Sequence, residues 1–331
     1  MYSIGPDLNA SPQSPGIKLT AVEVERAFER PIRKCQQGML VVNVAAGCSF
    51  GCLFCPLSHR LARTNEVQLR VNLPAILEAE IQARKKAGKL PRMVFLNTTT
   101  DLFQPIGALL ALTHEVIRIL LSEGIDVAFQ SRGLVPEGFG ELFSSFPGKV
   151  HAQVSLFAMR RDLARLYEPG APDPLERLES IRRLAKWGVD VRGRIEPLIP
   201  FISDTAGHMD ELLRHFRSAG VQRVTAAYLI LRPQILDRLQ EILPAAHFHL
   251  IKGSFRGQAW QKEGIYSQVR LLPQSTRTQG FERLRAAARR ADMAVSICAC
   301  HDPISGEFCW DQEPAANDAR ASGQLDLFSR K

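Results

Sequence analysis

The sequence has no apolar run approaching the roughly 18 residues that a membrane-spanning helix needs, which argues against a helical membrane protein. Its first thirteen residues are polar and rich in Pro and Ser, without the basic and apolar regions of a secretory signal. A cytoplasmic protein is expected. Cysteine is scarce, with seven in 331 residues. In a cytosolic chain such cysteines point to metal or redox chemistry rather than to a disulfide framework. Acidic residues are also short, 34 against 42 Lys and Arg, which leaves a net charge of +8. The excess is concentrated in pairs such as Arg160-Arg161, Arg182-Arg183 and Arg289-Arg290. Arginine offers a rigid fork to phosphate, so these pairs suit a polyanionic partner, or else form a solvated basic surface.

With 45% hydrophobic and 23% charged residues, the composition is that of a globular protein, in one large domain with appendages or in two. The cysteines are grouped. Cys48, Cys52 and Cys55 fall inside eight residues as C-x3-C-x2-C, and Cys298, Cys300 and Cys309 form a second set, while Cys35 stands alone as a small buried side chain. The first spacing lets three thiolates ligate three irons of one cubane cluster and leaves the fourth iron open, as cluster-based chemistry requires. A structural zinc site would need a fourth ligand that the loop does not offer.

Residues 1–20 read as disordered and 21–30 as a short amphipathic helix. An apolar run over 39–45 reads as a strand that leads into the cysteine loop. Strand and helix signals then alternate. Strands are expected at 93–96, 126–130, 150–156, 189–198 and 221–231, and helices at 73–87, 106–122, 137–145, 173–187, 205–218 and 234–242. The helix after 172 carries the clearest local signals. Asp173 caps, Pro174 takes the first helical position, Glu176 completes a capping box, and Leu175, Leu178, Ile181 and Leu184 repeat at helical spacing. Six strand–helix units in series predict a parallel sheet. Cys48, Asp101, Arg132, Ser155 and Glu196 all fall at the C-terminal ends of successive strands, where barrels build their chemistry. The expected fold is therefore α/β, a partial (β/α)6 barrel of the TIM type with a C-terminal extension. The expected divisions are a tail and short helix over 1–35, the barrel over 36–245, a basic, cysteine-containing extension over 246–315 and a flexible tail over 316–331. The alternation stops near residue 245, and a very basic helix over 276–291 precedes a short strand over 293–297.

C-x3-C-x2-C after a first strand in a βα series, with an aromatic (Phe54) before the third cysteine, resembles the radical S-adenosylmethionine enzymes. The stretches 99–105, 166–172 with Arg177, and 197–200 with Asp204 resemble that family's spore photoproduct lyase-like branch. The resemblance implies a [4Fe-4S] cluster on Cys48, Cys52 and Cys55, with S-adenosylmethionine bound to its open iron. It also implies reductive cleavage to a 5′-deoxyadenosyl radical, and an electron donor such as flavodoxin or ferredoxin. It places Thr100, Asp101, Arg132 and Ser155, with Glu196 as a further candidate, around the cofactor's methionine end, and Phe54 near its adenine. The alternative is that Asp101 and Arg132 pair or cap loops. One departure stands out: where the spore enzyme has a cysteine that returns a hydrogen atom to the product, this chain has Thr98, whose O–H bond is too strong for that role.

Cys298, Cys300, His301 and Cys309 offer three thiols and an imidazole for a second iron–sulfur cluster or a zinc ion, and Cys298 and Cys300 are candidate hydrogen donors. Unligated cysteines are the plain alternative. In the tail, Gln324, Leu325, Leu327 and Phe328 resemble the short peptide that docks on the DNA polymerase sliding clamp, Gln supplying hydrogen bonds and the apolar residues filling a pocket. The alternative is a last turn folded back on the domain. The leading expectation is a radical enzyme acting on damaged or modified DNA, with residues 270–290 gripping phosphates. The rivals are the same chemistry on RNA, a peptide or a small molecule, and a non-catalytic iron–sulfur adaptor at the replication clamp.

Overall fold

Alternating strands and helices wind the chain into one large, mainly parallel sheet with helices packed on its outer face. The computed structural model describes residues 16–30, 39–57, 66–263, 267–300, 302, 307 and 310. In chain order the strands are β1 (Lys18–Val22), β2 (Phe28–Glu29), β3 (Leu40–Val42), β4 (Ala45–Ala46), β5 (Glu66–Arg70), β6 (Met93–Leu96), β7 (Asp126–Ser131), β8 (Val150–Ser155), β9 (Asp190–Leu198), β10 (Arg223–Tyr228), β11 (Gln261–Glu263), β12 (Ser267–Val269) and β13 (Ala294–Ile297). The main sheet runs β13-β10-β9-β8-β7-β6-β3-β2, parallel throughout except for the β2–β3 edge pair. This is the partial barrel expected from the sequence. β13 joins it as a further parallel strand, with Arg223 opposite Ala294.

The apolar runs alternate across the sheet. Val42, Val94, Leu96, Val127 and Phe129 face the helices and belong to the main core. Val41, Met93, Phe95 and Ala128 face the opposite way and form a separate buried cluster with Ala227, Cys298 and Trp310. This period of two is the pleat of a strand buried on both faces. The inner face turns polar further round. Gln153 Oε1 accepts from Gln130 Nε2 and from Arg194 Nη1, each at 3.0 Å. Arg192 lies over the Trp310 ring, 5.8 Å from its centre.

Several expectations are corrected. Residues 21–30 form no helix. Lys18–Val22 is a strand parallel to β5, and Phe28–Glu29 is an edge strand. Ile17, Leu19 and Val24 pack on the core, and β-branched Thr20, Val22 and Val24 favour extended backbone. Disorder over 1–20 fails at least from Lys18 onward, and residues 1–15 lie outside the described residues. The run 39–45 does not make one strand. It splits at Asn43, β3 pairing with β6 and β4 turning to pair with β5. Leu175 is exposed, leaving Leu178, Ile181 and Leu184 as the inward stripe of the Pro174–Lys186 helix. Among the described residues two helices went unforeseen, Arg161–Tyr167 and Ala245–Ser254. The Gln274–Arg290 helix is present, but Arg277 on it is buried and pairs with Asp302 (3.1 Å).

Candidate functional site

The loop that carries Cys48, Cys52 and Cys55 follows β4 and is held from three sides. Gly47 has φ +99°, and a Cβ there would lie 2.3 Å from the Glu66 carbonyl oxygen, so the loop can leave β4 beside β5 only through glycine. Gly47 N donates to Thr99 O (3.1 Å), and the Thr100 hydroxyl donates to Gly47 O. Gln104 is fully buried. Its Oε1 accepts from Ser49 N (2.6 Å), and its Nε2 donates to Thr100 Oγ1 (2.7 Å) and Asp101 O (3.0 Å). On the far side Leu53 N donates to Tyr167 O and Gly170 N to Phe50 O, both at 2.9 Å. A Cβ at Gly170 would meet Ser49 O at 2.6 Å and Phe50 Cα at 2.9 Å. The strand-end loop 97–104 and the loop after the Arg161–Tyr167 helix thus grip the cysteine loop between them.

Burial pushes the Cys48 and Cys52 thiols well above their ordinary range. Asp101 and Cys52 add to the effect at Cys48, and the Arg132 guanidinium works against it at Cys52. Thiols so placed ionise only beside a compensating cation, which is what iron supplies. No three His, Cys, Asp or Glu side chains among the described residues converge as a site for a single ion. A cubane makes no such demand, because each thiolate takes a different iron. The donor set and the clamped loop fit a three-cysteine cluster.

The candidate cofactor residues lie in one connected network. Asp101 Oδ1 accepts from Phe103 N (3.0 Å) and Ser131 Oγ (2.7 Å), and Oδ2 accepts from Arg132 N (2.7 Å). Asp101 therefore ties the end of β6 to the end of β7. With about four acceptor sites on a carboxylate, Oδ2 retains one. Arg132 donates through Nε to Glu168 Oε1 (2.6 Å) and through Nη2 to Glu196 O (2.8 Å), and its guanidinium lies 5.1 Å from the centre of the Phe54 ring. Phe54 packs on Phe157, with ring centres 5.8 Å apart. Ser155 sits at the end of β8, its carbonyl accepting from Arg177 Nη1 (2.9 Å). The Glu196 carboxylate accepts from Arg194 Nε.

Glu168 and Arg177, to which the sequence reading gave no role, form a buried ion pair within this network. Arg177 Nη2 donates to Glu168 Oε2 (2.7 Å), and Arg177 Nε to Pro172 O (2.9 Å). Burial alone would push the Glu168 carboxyl up. Arg177 and Arg132 on either side reverse this and hold it below the usual carboxylate range. The stretch 166–172 and Arg177 pointed to this pair, but their contacts span loops that no local pattern predicts. Thr98 is fixed through its amide (2.7 Å) and hydroxyl (3.2 Å) to Asn43 Oδ1.

The second cysteine set is only partly described. Cys298 is fully buried at the end of β13, with Arg194 Nη2 3.7 Å from its sulfur, and Cys300 packs beside the same inner cluster. His301 and Cys309 lie outside the described residues, as do Cys35 and the tail residues Gln324, Leu325, Leu327 and Phe328.

An uncharacterised protein of Mycobacterium tuberculosis is 27% identical over 286 residues, covering 83% of this chain and 81% of its own length. An uncharacterised protein of Acidianus two-tailed virus is 23% identical over 215 residues, 61% of this chain and 71% of its own. Among solved structures, spore photoproduct lyase complexed with dinucleoside spore photoproduct matches with a TM-score of 0.64 at 17% identity, covering 85% of this chain and 82% of that one. A mutant of that enzyme with bound AdoMet and the same dinucleoside gives 0.63 at 16%, covering 84% and 81%. SuiB of Streptococcus suis bound to S-adenosylmethionine gives 0.51 at 11%, covering 80% and 52%. The radical SAM superfamily model matches residues 42–215, more than half of the chain and all of the cysteine loop, and this protein belongs to that superfamily of enzymes.

Proposed function

We propose that this enzyme acts on a damaged or modified base in DNA, in the cytoplasm, with Cys48, Cys52 and Cys55 holding a [4Fe-4S] cluster. The observation that carries the substrate reading is the fold shared, over 85% of this chain, with a lyase solved with a dinucleoside photoproduct. A base inside a duplex would have to be extruded to reach the strand ends that carry the cysteine loop. The net charge of +8 supports the same reading. No helix among the described residues is long and apolar enough to cross a membrane.

When bound, the cluster and S-adenosylmethionine supply an electron and a 5′-deoxyadenosyl radical. The residues of this chain hold, orient and shield. The remaining acceptor site of Asp101 suits the cofactor's amine, and the N–H groups of Arg132 not spent on Glu168 and Glu196 suit its carboxylate. Thr100 and Ser155 fix the strand ends on either side, Glu196 keeps Arg194 in place, and Phe54 offers an apolar surface toward the adenine. Thr98 cannot return a hydrogen atom, so the donor is assigned to Cys298, whose sulfur lies on the inner face, or to its neighbour Cys300.

The test is anaerobic incubation of the reconstituted enzyme with reductant, S-adenosylmethionine and either intact or ultraviolet-irradiated DNA. Formation of 5′-deoxyadenosine together with loss of a lesion is expected. 5′-Deoxyadenosine with unaltered, unbound DNA would move the substrate to RNA, a peptide or a small molecule. A loaded cluster that yields no 5′-deoxyadenosine would favour an adaptor. Iron and sulfide counts in wild type and in Cys298→Ala/Cys300→Ala decide whether a second metal site exists. Residues 324–328 are proposed to dock on the sliding clamp, and their deletion is expected to abolish clamp binding without changing cofactor cleavage.

A further inference from the structure

Arg238 lies on the Pro233–Ile242 helix, 186 residues from Cys52 in sequence, yet its guanidinium is bonded to the cysteine loop. Nη1 donates to Cys52 O (3.3 Å), Leu53 O (3.1 Å) and Cys55 O (3.2 Å). Ile235 and Leu239 are buried on the same helix and fix its rotation, which leaves Arg238 half-buried and aimed at the loop. Three carbonyls gathered on one nitrogen fix the turn between the second and third cysteines. The other charged groups at the site are differently engaged. Arg132 and Arg177 share Glu168, and Asp101 is bonded to the strand ends.

Arginine stays protonated under all working conditions. A fixed positive charge next to thiolates, partly shielded from water, favours the state with one more electron. We propose that Arg238 is a positioning residue that fixes the Cys52-to-Cys55 turn and raises the reduction potential of the cluster held there. The inference rests on the cluster reading and is independent of the DNA reading.

The test uses the full chain as wild type, Arg238→Lys and Arg238→Gln, reconstituted anaerobically. Iron and sulfide are counted and the midpoint potential is followed by electron paramagnetic resonance during reductive titration without S-adenosylmethionine. Arg238→Gln should load its cluster and titrate at a more negative potential, while Arg238→Lys, which keeps the charge, should stay near wild type. A loaded Arg238→Gln with an unchanged midpoint overturns the proposal. If Arg238→Gln holds no iron, Arg238→Lys carries the test: a loaded cluster at the wild-type midpoint supports the proposal, and a shifted midpoint or an empty loop overturns it. A wild type that takes up no iron would strike the cluster reading itself.

Discussion

Glu168 has no solvent exposure and remains charged because two guanidiniums reach it, Arg177 from the following helix and Arg132 from the end of β7. Removing one partner of such a buried pair typically costs about 3–5 kcal/mol, since the other charge is left uncompensated. Glu168→Gln should therefore lower the urea midpoint at neutral pH. The pH dependence has a definite sign. The folded pKa lies below the unfolded value of about 4.3, so the stabilisation is complete above that value and is lost as pH falls through the folded pKa. Paired urea titrations should show a wide gap between wild type and Glu168→Gln at pH 7 that narrows progressively as pH falls below the unfolded value of about 4.3. A gap independent of pH would mean that shape rather than charge is what Glu168 contributes.

The loop at 47–55 is the element where sequence and structure agree best, because its information is local: three thiols at fixed spacing, with a glycine at the one position where β5 allows no Cβ. Five of the six predicted strands were legible for the same reason, as short apolar runs preceded by glycines, whereas the run over 39–45 splits at Asn43. The contacts that make the loop rigid were not legible. Gln104, Gly170 and Arg238 reach it from elements distant in sequence; the stretches around Gln104 and Gly170 carry the family resemblance without showing these contacts, and nothing near Arg238 marks it. The error at 21–30 has a similar origin, since β1 exists only through its pairing with β5, more than forty residues on. Gly170→Ala tests how tightly the loop is gripped. A methyl group there meets backbone rather than a flexible side chain, so the Ser49–Phe50 segment must move. Iron bound after reconstitution should fall well below wild type while the far-ultraviolet circular dichroism is retained. Full iron content would show that the loop adjusts without loss of its geometry.

Across the whole molecule, positive charge is not spread as the sequence suggests. Of the arginines expected to grip phosphates, Arg277 is buried against Asp302, Arg283 pairs with Asp204, Arg290 pairs with Asp210, and Arg270 lies over the Trp260 ring. Much of the basic helix is thus devoted to fastening Gln274–Arg290 to the barrel, where it packs on Ala206–Ser218. Arg285 and Arg289 have no ion pair among the described residues and are the groups left to meet a polyanion. Each phosphate contact steepens the fall of log affinity with log salt by about 0.9 on duplex DNA. If both arginines touch the backbone, Arg285→Gln/Arg289→Gln should weaken binding uniformly across sequences and reduce the salt slope by about 1.8. Arg277→Gln should instead lower thermal stability, because it breaks the buried ion pair with Asp302. Binding isotherms at several salt concentrations separate the two effects. A slope unchanged in the double variant would take this helix out of the DNA contact and leave the barrel mouth to make it.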